Sequence, residues 1–497
     1  MKNGKQQKHK KEKIGKNLLI RISLLIIFSA ILCISMAWGK VFSLQAAAGS
    51  FFLIAFLLGI FYKDMMRYNP AIKQDYRLIL LILTLLSSNF IIGRIFDYVL
   101  EGFASTFGTI DPSLFIYAIP LATGTMLAAL LIDIHTAIVF TFITSLVAGL
   151  WLNNPLYSIF TFASGLTAAF SVIRCKKRSA IWRGGLFVGL VCVSVSLMIN
   201  LASGEFLKIG TIVSIGTSFL NGIIVAILVS ALLPVFEYFF KITTDISLLE
   251  LLDLNHPLMR ELLVEAPGTY HHSIVVGNLV ESAAEAVGVN PLLARACAYY
   301  HDIGKIKMPE YFIENQVGPT NVHDKLTPRM SSMVLVAHIK EGVELARQYK
   351  LPQSIIDIIQ QHHGTSVQTY FYEKAKEQSA RDSASPHVSA EDFRYPGPKP
   401  QTRIAALVLM ADAIEAASRV LSDPTPTRVS TLVEKLINHA FIDGQLDNCE
   451  LTLKDIREIK IYFVYLLTSM YHRRVNYPGL EVKDENTLKE PAKAQTA

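Results

Sequence analysis

Apolar residues follow two different patterns along this chain. Up to about residue 233 they run in near-continuous blocks, and beyond it they recur every three or four positions. The blocks lie near residues 18–38, 44–62, 77–96, 113–132, 134–152, 156–173, 183–202 and 211–233. A helix needs about 20 mostly apolar residues to cross about 30 Å of hydrocarbon, so each block has the length of a membrane span. The second half reads as amphipathic helices: "SIVVGNLVESAAEAV", "PLLARACAYYHDI", "SSMVLVAHIKEGVELARQY", "QSIIDIIQQHH", "RIAALVLMADAIEAASRVL", "VSTLVEKLINHAFI" and "TLKDIREIKIYFVYLLTSMYHRR". Turn signals such as "GVNP" and "SDPTPT" separate them, and no strand-like alternation occurs. The expected fold class is all-α, a polytopic transmembrane bundle followed by an all-helical soluble domain.

The pattern divides the chain into a basic tail (1–17), a transmembrane region of about eight helices (18–233), an amphipathic connector at the bilayer surface (234–250), the helical domain (251–478) and a polar, disordered tail (479–497). Residues 365–401 read as a long irregular stretch, too long for a simple connection and suited to a lid or to disorder.

Composition and charge sharpen this division. Charged residues make up 18% of the chain, against roughly 25% in soluble domains. The N-terminus "MKNGKQQKHKKEKIGK" and the loops "YKDMMRYNPAIKQDYR" and "RCKKRSAIWR" are basic, whereas the alternate loops hold only Lys40 and Lys208. Lys and Arg favour the cytoplasmic side, so an even number of spans with both ends inside fits every loop. The expected location is the cell membrane, multi-pass, with the helical domain in the cytoplasm. The first apolar block is longer than a signal-peptide core and has no clear cleavage site before the next span. The formal net charge of +6 follows from this loop bias, so the bilayer is an expected partner and a nucleic acid polymer is not. The five cysteines show no CxxC spacing, which implies neither a disulfide framework nor a zinc ribbon.

Histidines and aspartates of the second half are grouped. "YHHS" (His271, His272), "HD" (His301, Asp302), "AH" (His338), "QHH" (His362, His363) and "MAD" (Asp412) each fall on or at the end of a separate expected helix. One histidine on a helix is ordinarily structural, but five such places in one small domain point to convergence on a site. Imidazole with carboxylate suits Fe, Mn or Zn, whereas Mg and Ca take oxygen-rich sites. Seven candidate ligands exceed the needs of one ion. Two ions take four each if one carboxylate bridges, and Asp302 beside His301 is the natural bridge. Neither Walker glycines nor a GxSxG elbow is present.

The ordered set of "HDIGK", an upstream "HS", a mid-domain His, an "HH" pair and a late Asp resembles the HD-domain phosphohydrolases. The stretches "EAPGTYHHS", "HDIGKIKMPEYFIENQ", "HHGT", "YFYEKA", "FRYPGPKPQ" and "DGQLDNCELTLKDI" are similar to bacterial seven-transmembrane HD proteins that hydrolyse cyclic di-AMP. The resemblance extends from about residue 40 to 478 and leaves out the large extracellular domain that such proteins carry between their first two spans. It implies one metal held by His272, His301, Asp302 and Asp412, and a second held by Asp302, His338, His362 and His363. It further implies phosphate or substrate contacts from Lys305, His271 and Arg329, with Asp302 and Lys305 serving catalysis. The wording at "NVHDKL" and "QTRIAALVLMAD" departs from the family's and leaves the substrate contacts less defined.

The implied activity is a membrane-anchored phosphodiesterase that converts cyclic di-AMP to linear pApA with two divalent transition-metal ions, Mn or Fe. Cyclic di-GMP is the rival substrate, but HD-GYP enzymes follow the paired histidines with Glu and a Gly-Tyr-Pro element, and here "HHGTSVQTYFYEK" follows. Other nucleotide phosphohydrolysis, or a receptor that binds a nucleotide without turnover, are the alternatives, and homodimerisation is left open.

Overall fold

The computed structural model describes residues 2–38, 43–68, 76–107, 112–173, 175, 177–316, 318, 321–381, 388–421 and 423–471. The tail expected at 479–497 lies outside these residues. Among the described residues the chain is all-helical with no strand; one isolated bridge joins Val367 to Arg394. It separates into two compact units, 1–256 and 257–497.

The first unit contains α1 (Lys2–Ala37), α2 (Leu44–Tyr68), α3 (Arg77–Phe107), α4 (Ala122–Leu131), α5 (Ile134–Leu152), α6 (Pro155–Ser171), α7 (Ser179–Ala202), α8 (Gly210–Phe240) and α9 (Asp245–Leu251). Among the described residues, seven helical segments are long and apolar enough to cross a membrane. The remaining block of the eight forms α6, a helix of 17 residues whose start is capped by Asn154. Residues 234–240, read from sequence as the start of the connector, are the last turns of α8, which carries Pro234 inside it. The turn after α8 is closed by Thr244, which caps α9 and also bonds Glu237.

The fourth apolar block is broken. A 3-10 turn at Pro112–Ala118 ends before Pro120, and α4 begins at Ala122. Carbonyls freed by a break at this depth need donors from the protein, because hydrocarbon offers none. Asn221 Nδ2 donates to the carbonyls of Tyr117 and Ile119, both at 2.8 Å. Asn89 Nδ2 donates to Leu121 O at 2.9 Å, and its Oδ1 accepts from Gly124 N at 3.0 Å. Two buried asparagines therefore hold the broken helix in place.

The second unit holds α10 (Pro257–Glu265), α11 (Pro267–Ala286), α12 (Pro291–Tyr300), α13 (Pro328–Gln348), α14 (Gln353–Gln361), α15 (Thr369–Arg381), α16 (Arg403–Ser418), α17 (Pro426–Ile442) and α18 (Leu453–Met470). Side-chain caps set several starts: Asn290 for α12, Thr327 for α13, Thr402 for α16 and Thr425 for α17, while Thr452 and Asp455 form a reciprocal capping box on α18. Helix α16 is central, with every residue from Ala405 to Asp412 buried. The stretch 365–401 is not irregular throughout, since it contains α15 and a 3-10 turn at Ala390–Phe393. Only Phe371 of α15 is buried, so no apolar stripe marks this helix in the sequence.

Candidate metal centre

His301 ends α12 and Asp302 begins the 3-10 turn Ile303–Lys307. That turn packs directly on α13, and the glycine of "HDIGK" makes the approach possible. A Cβ on Gly304 would lie 1.9 Å from the carbonyl oxygen of His338, where no atom fits. The same close contact thus brings Asp302 and His338 together.

Each histidine is fixed in one tautomer by what its Nδ1 meets. Nδ1–H donates to the carbonyl three residues earlier in His301 (Ala298, 2.7 Å), His338 (Leu335, 2.5 Å) and His362 (Ile359, 2.8 Å). His272 on α11 donates instead to the Glu415 carboxylate on α16, at 2.5 Å. All four rings consequently direct Nε2 inward. His338 and His362 Nε2 both lie 3.5 Å from Asp302 Oδ1, whereas His301 and His272 Nε2 lie 3.3 and 3.8 Å from Asp302 Oδ2. Asp412 is divided in the same way, with Oδ1 3.0 Å from His272 Nε2 and Oδ2 3.3 Å from His363 Nδ1.

Two groups of four ligand atoms result, each with all members within 4.8 Å of one another: His272, His301, Asp302 and Asp412, and Asp302, His338, His362 and His363. Asp302 belongs to both, one oxygen facing each. The Nε2 atoms of His272 and His301 and both carboxylate oxygens of Asp302 are buried without a hydrogen bond of good geometry among the described residues. An unpaired buried polar group costs about 1–3 kcal/mol and more when charged. Asp302 Oδ2 meets the Lys305 ammonium and His272 Nε2 lies beside Asp412 Oδ1, whereas His301 Nε2 and Asp302 Oδ1 point into the cluster without such a partner, an arrangement suited to cations. The donor set fits divalent transition metals.

Burial and neighbouring charge set the protonation of these groups. Burial lowers His338 to about 4, against the pull of Asp302, and takes His363 well below its ordinary value with His362 beside it. Both are neutral and ready to ligate at neutral pH. Burial would lower His272 too, but the carboxylates of Asp412 and Glu415 push it up to about 10. Asp302 stays ionised despite burial because Lys305 and His301 face it, and Asp412 because His272 and His363 do. Lys305 is in turn held charged by Asp302 at 2.7 Å and Glu314 at 2.8 Å.

A cavity of about 630 Å³ opens over the cluster, bounded by Lys305, His338, His362, His363, Tyr395 and Asp412 among others. Tyr395 stacks on His363 with ring centres 4.2 Å apart. Of the substrate-contact candidates, Lys305 is on the cavity wall. His271 is exposed on α11 beside Tyr270, and Arg329 is exposed and paired with Asp392 at 3.0 Å; neither borders the cavity. Sequence reasoning missed Glu415, whose signal was a second acid three residues after Asp412 on an otherwise apolar helix. It also missed His323, which lies on the cavity wall.

Residues 44–244 match the family model described as "7TM receptor with intracellular HD hydrolase", and residues 269–417 match the HD domain. The cyclic-di-AMP phosphodiesterase PgpH of Bacillus subtilis is 40% identical over 372 residues, covering 73% of this chain and 51% of that protein. PgpH of Listeria monocytogenes is 38% identical over 369 residues, covering 73% and 50%. The chain belongs to the 7TM HD hydrolase family. It spans about half the length of these curated relatives. Among solved structures, the L. monocytogenes PgpH HD domain in complex with cyclic-di-AMP is 43% identical, covering 45% of this chain and all of that one, with a TM-score of 0.41. The matched HD segment of this 7TM HD hydrolase contains all seven candidate ligands, from His272 on α11 to Asp412 on α16, the last of them five residues before its end.

Proposed function

We propose that this protein is a membrane-anchored phosphodiesterase that hydrolyses cyclic di-AMP to linear pApA at a dinuclear metal site. The observation that carries the reading is Asp302, whose two oxygens each face a separate pair of imidazoles in a cluster that borders the cavity through His338, His362, His363 and Asp412. The names of the curated relatives support the substrate. His272, His301, Asp302 and Asp412 would hold one ion, and Asp302, His338, His362 and His363 the other. Two divalent transition-metal ions, Mn or Fe, would supply a water activated at neutral pH and offset charge on the phosphodiester oxygens.

The chain's own residues do the rest. Asp302 joins the two halves and fixes their separation. The carbonyls behind His301, His338 and His362 keep those rings from turning or accepting a proton at Nδ1. Lys305, charged and anchored by Asp302 and Glu314, offers its ammonium to a non-bridging phosphate oxygen. A diester seated in the cavity would lose part of its contact with water, which would strengthen each of these interactions.

The basic loops support a cytoplasmic HD domain, and the family match supports the count of spans behind it. Residues 44–244 contain seven apolar helical segments when α6 is included, and α1 precedes them, giving eight. The activity is tested by incubating the purified full chain with Mn or Fe and either cyclic di-AMP or cyclic di-GMP, and separating products by chromatography. Conversion of cyclic di-AMP to pApA is expected; preferential cleavage of cyclic di-GMP, or binding without cleavage, would replace this reading.

A further inference from the structure

His323 sits in the 3-10 turn Val322–Lys325, 6% exposed, and forms part of the wall of the cavity above the metal cluster. Asn321 holds the turn by accepting from His323 N at 3.0 Å. The ring's Nε2 lies 2.7 Å from the carbonyl oxygen of Tyr311. A carbonyl only accepts, so Nε2 carries the hydrogen, and the neutral ring is left with Nδ1 as an acceptor. That Nδ1 is buried and has no hydrogen-bond partner among the described residues. The position is selective, because a ligand that offers an N–H relieves an unpaired acceptor and one that offers an oxygen lone pair does not.

The surroundings indicate which N–H. Phe371 lies edge-on to His323 with ring centres 5.2 Å apart, Tyr311 is at 5.9 Å, and Phe312 and Tyr370 continue the same cavity wall. Aromatic faces and edges suit a planar base better than a ribose hydroxyl. Adenine carries an amine at the position where guanine carries a carbonyl.

We propose that His323 Nδ1 accepts a hydrogen bond from the 6-amino group of one adenine of the substrate, and so sets the preference of this cavity for adenine over guanine. The inference rests on the cyclic di-AMP reading above and adds to it the residue that recognises the base. Lys305 and the metal ligands act on the phosphates and do not distinguish the bases.

The test compares cyclic di-AMP with its analogue in which both 6-amino groups are replaced by hydrogen, using the full chain in detergent and measuring affinity. The parent should bind cyclic di-AMP about tenfold more tightly than the analogue, the worth of one buried hydrogen bond. In His323→Phe, which keeps a ring and loses the acceptor, this ratio should fall to about one; thermal unfolding and metal content report whether the variant folds. A parent that binds both ligands equally overturns the inference with no variant needed, as does a folded His323→Phe that keeps the parent's ratio. A parent that binds neither ligand refutes the cyclic di-AMP reading itself, and the inference with it.

Discussion

Glu415 shows how much of this site depends on residues that never face the cavity. It is 3% exposed, accepts from His272 Nδ1 and is itself bonded by Arg419 Nε at 2.6 Å. A carboxylate behind a ligating imidazole fixes the ring and raises its basicity, and losing such a partner ordinarily costs 10- to 100-fold in metal affinity. Glu415→Gln is therefore expected to lower metal affinity by about that factor, read by metal titration of the purified chain, with cyclic di-AMP hydrolysis restored in part by excess metal. Unchanged affinity would make Glu415 a packing residue only. The seven candidate ligands that the structure brings together were legible as a cluster because histidine is rare on apolar helix faces and five placements coincided. Glu415 and His323 were not, since a glutamate beside an arginine reads as a solvated pair and a histidine in a polar turn carries no periodic signal.

Helices are where the sequence reading succeeded most and also where it failed. Apolar periodicity located α11, α13, α14, α17 and α18, because each buries a stripe, whereas α16 showed as an apolar run that is buried on all sides from Ala405 to Asp412. It missed α15, whose "TYFYEKAKEQSAR" buries one residue, and it read the fourth membrane block as one span because hydropathy does not register the break at Pro120. The close approach of Gly304 to α13 was equally invisible, since it depends on a partner far along the chain. The start of α18 gives a pH-dependent test. Hydrogen bonds from Thr452 N and Oγ1, helped by Arg403, hold the Asp455 carboxyl below its ordinary value. A carboxyl whose folded value is depressed adds stability above its unfolded value of about 4 and loses it as pH falls through the folded one. Asp455→Asn should lower the unfolding temperature at pH 7, and the gap to the parent should close as pH is taken below about 4. Thr452→Ala is expected to cost about 1 kcal/mol. A gap independent of pH would contradict the charged cap.

At the scale of the whole molecule, the two units have different solvents. The first exposes large apolar side chains such as Ile34, Phe52, Phe56 and Leu186, as a lipid-facing surface does, while the second buries its apolar residues around α16. Reporter fusions at residues 10 and 471 should both give cytoplasmic signals if α6 crosses the bilayer, and opposite signals if its 17 residues do not. The central claim is that Asp302 joins two metal ions into one hydrolytic site, and it is tested most directly by measuring bound metal and cyclic di-AMP hydrolysis on the same preparations of the parent and Asp302→Asn. The parent should carry two ions per chain and release pApA. In the variant the amide supplies negative charge to neither ion, so metal content and rate should fall together, the rate by orders of magnitude, while the chain stays folded in the membrane. A variant with the parent's metal content and a rate within a few-fold of the parent's would contradict the account.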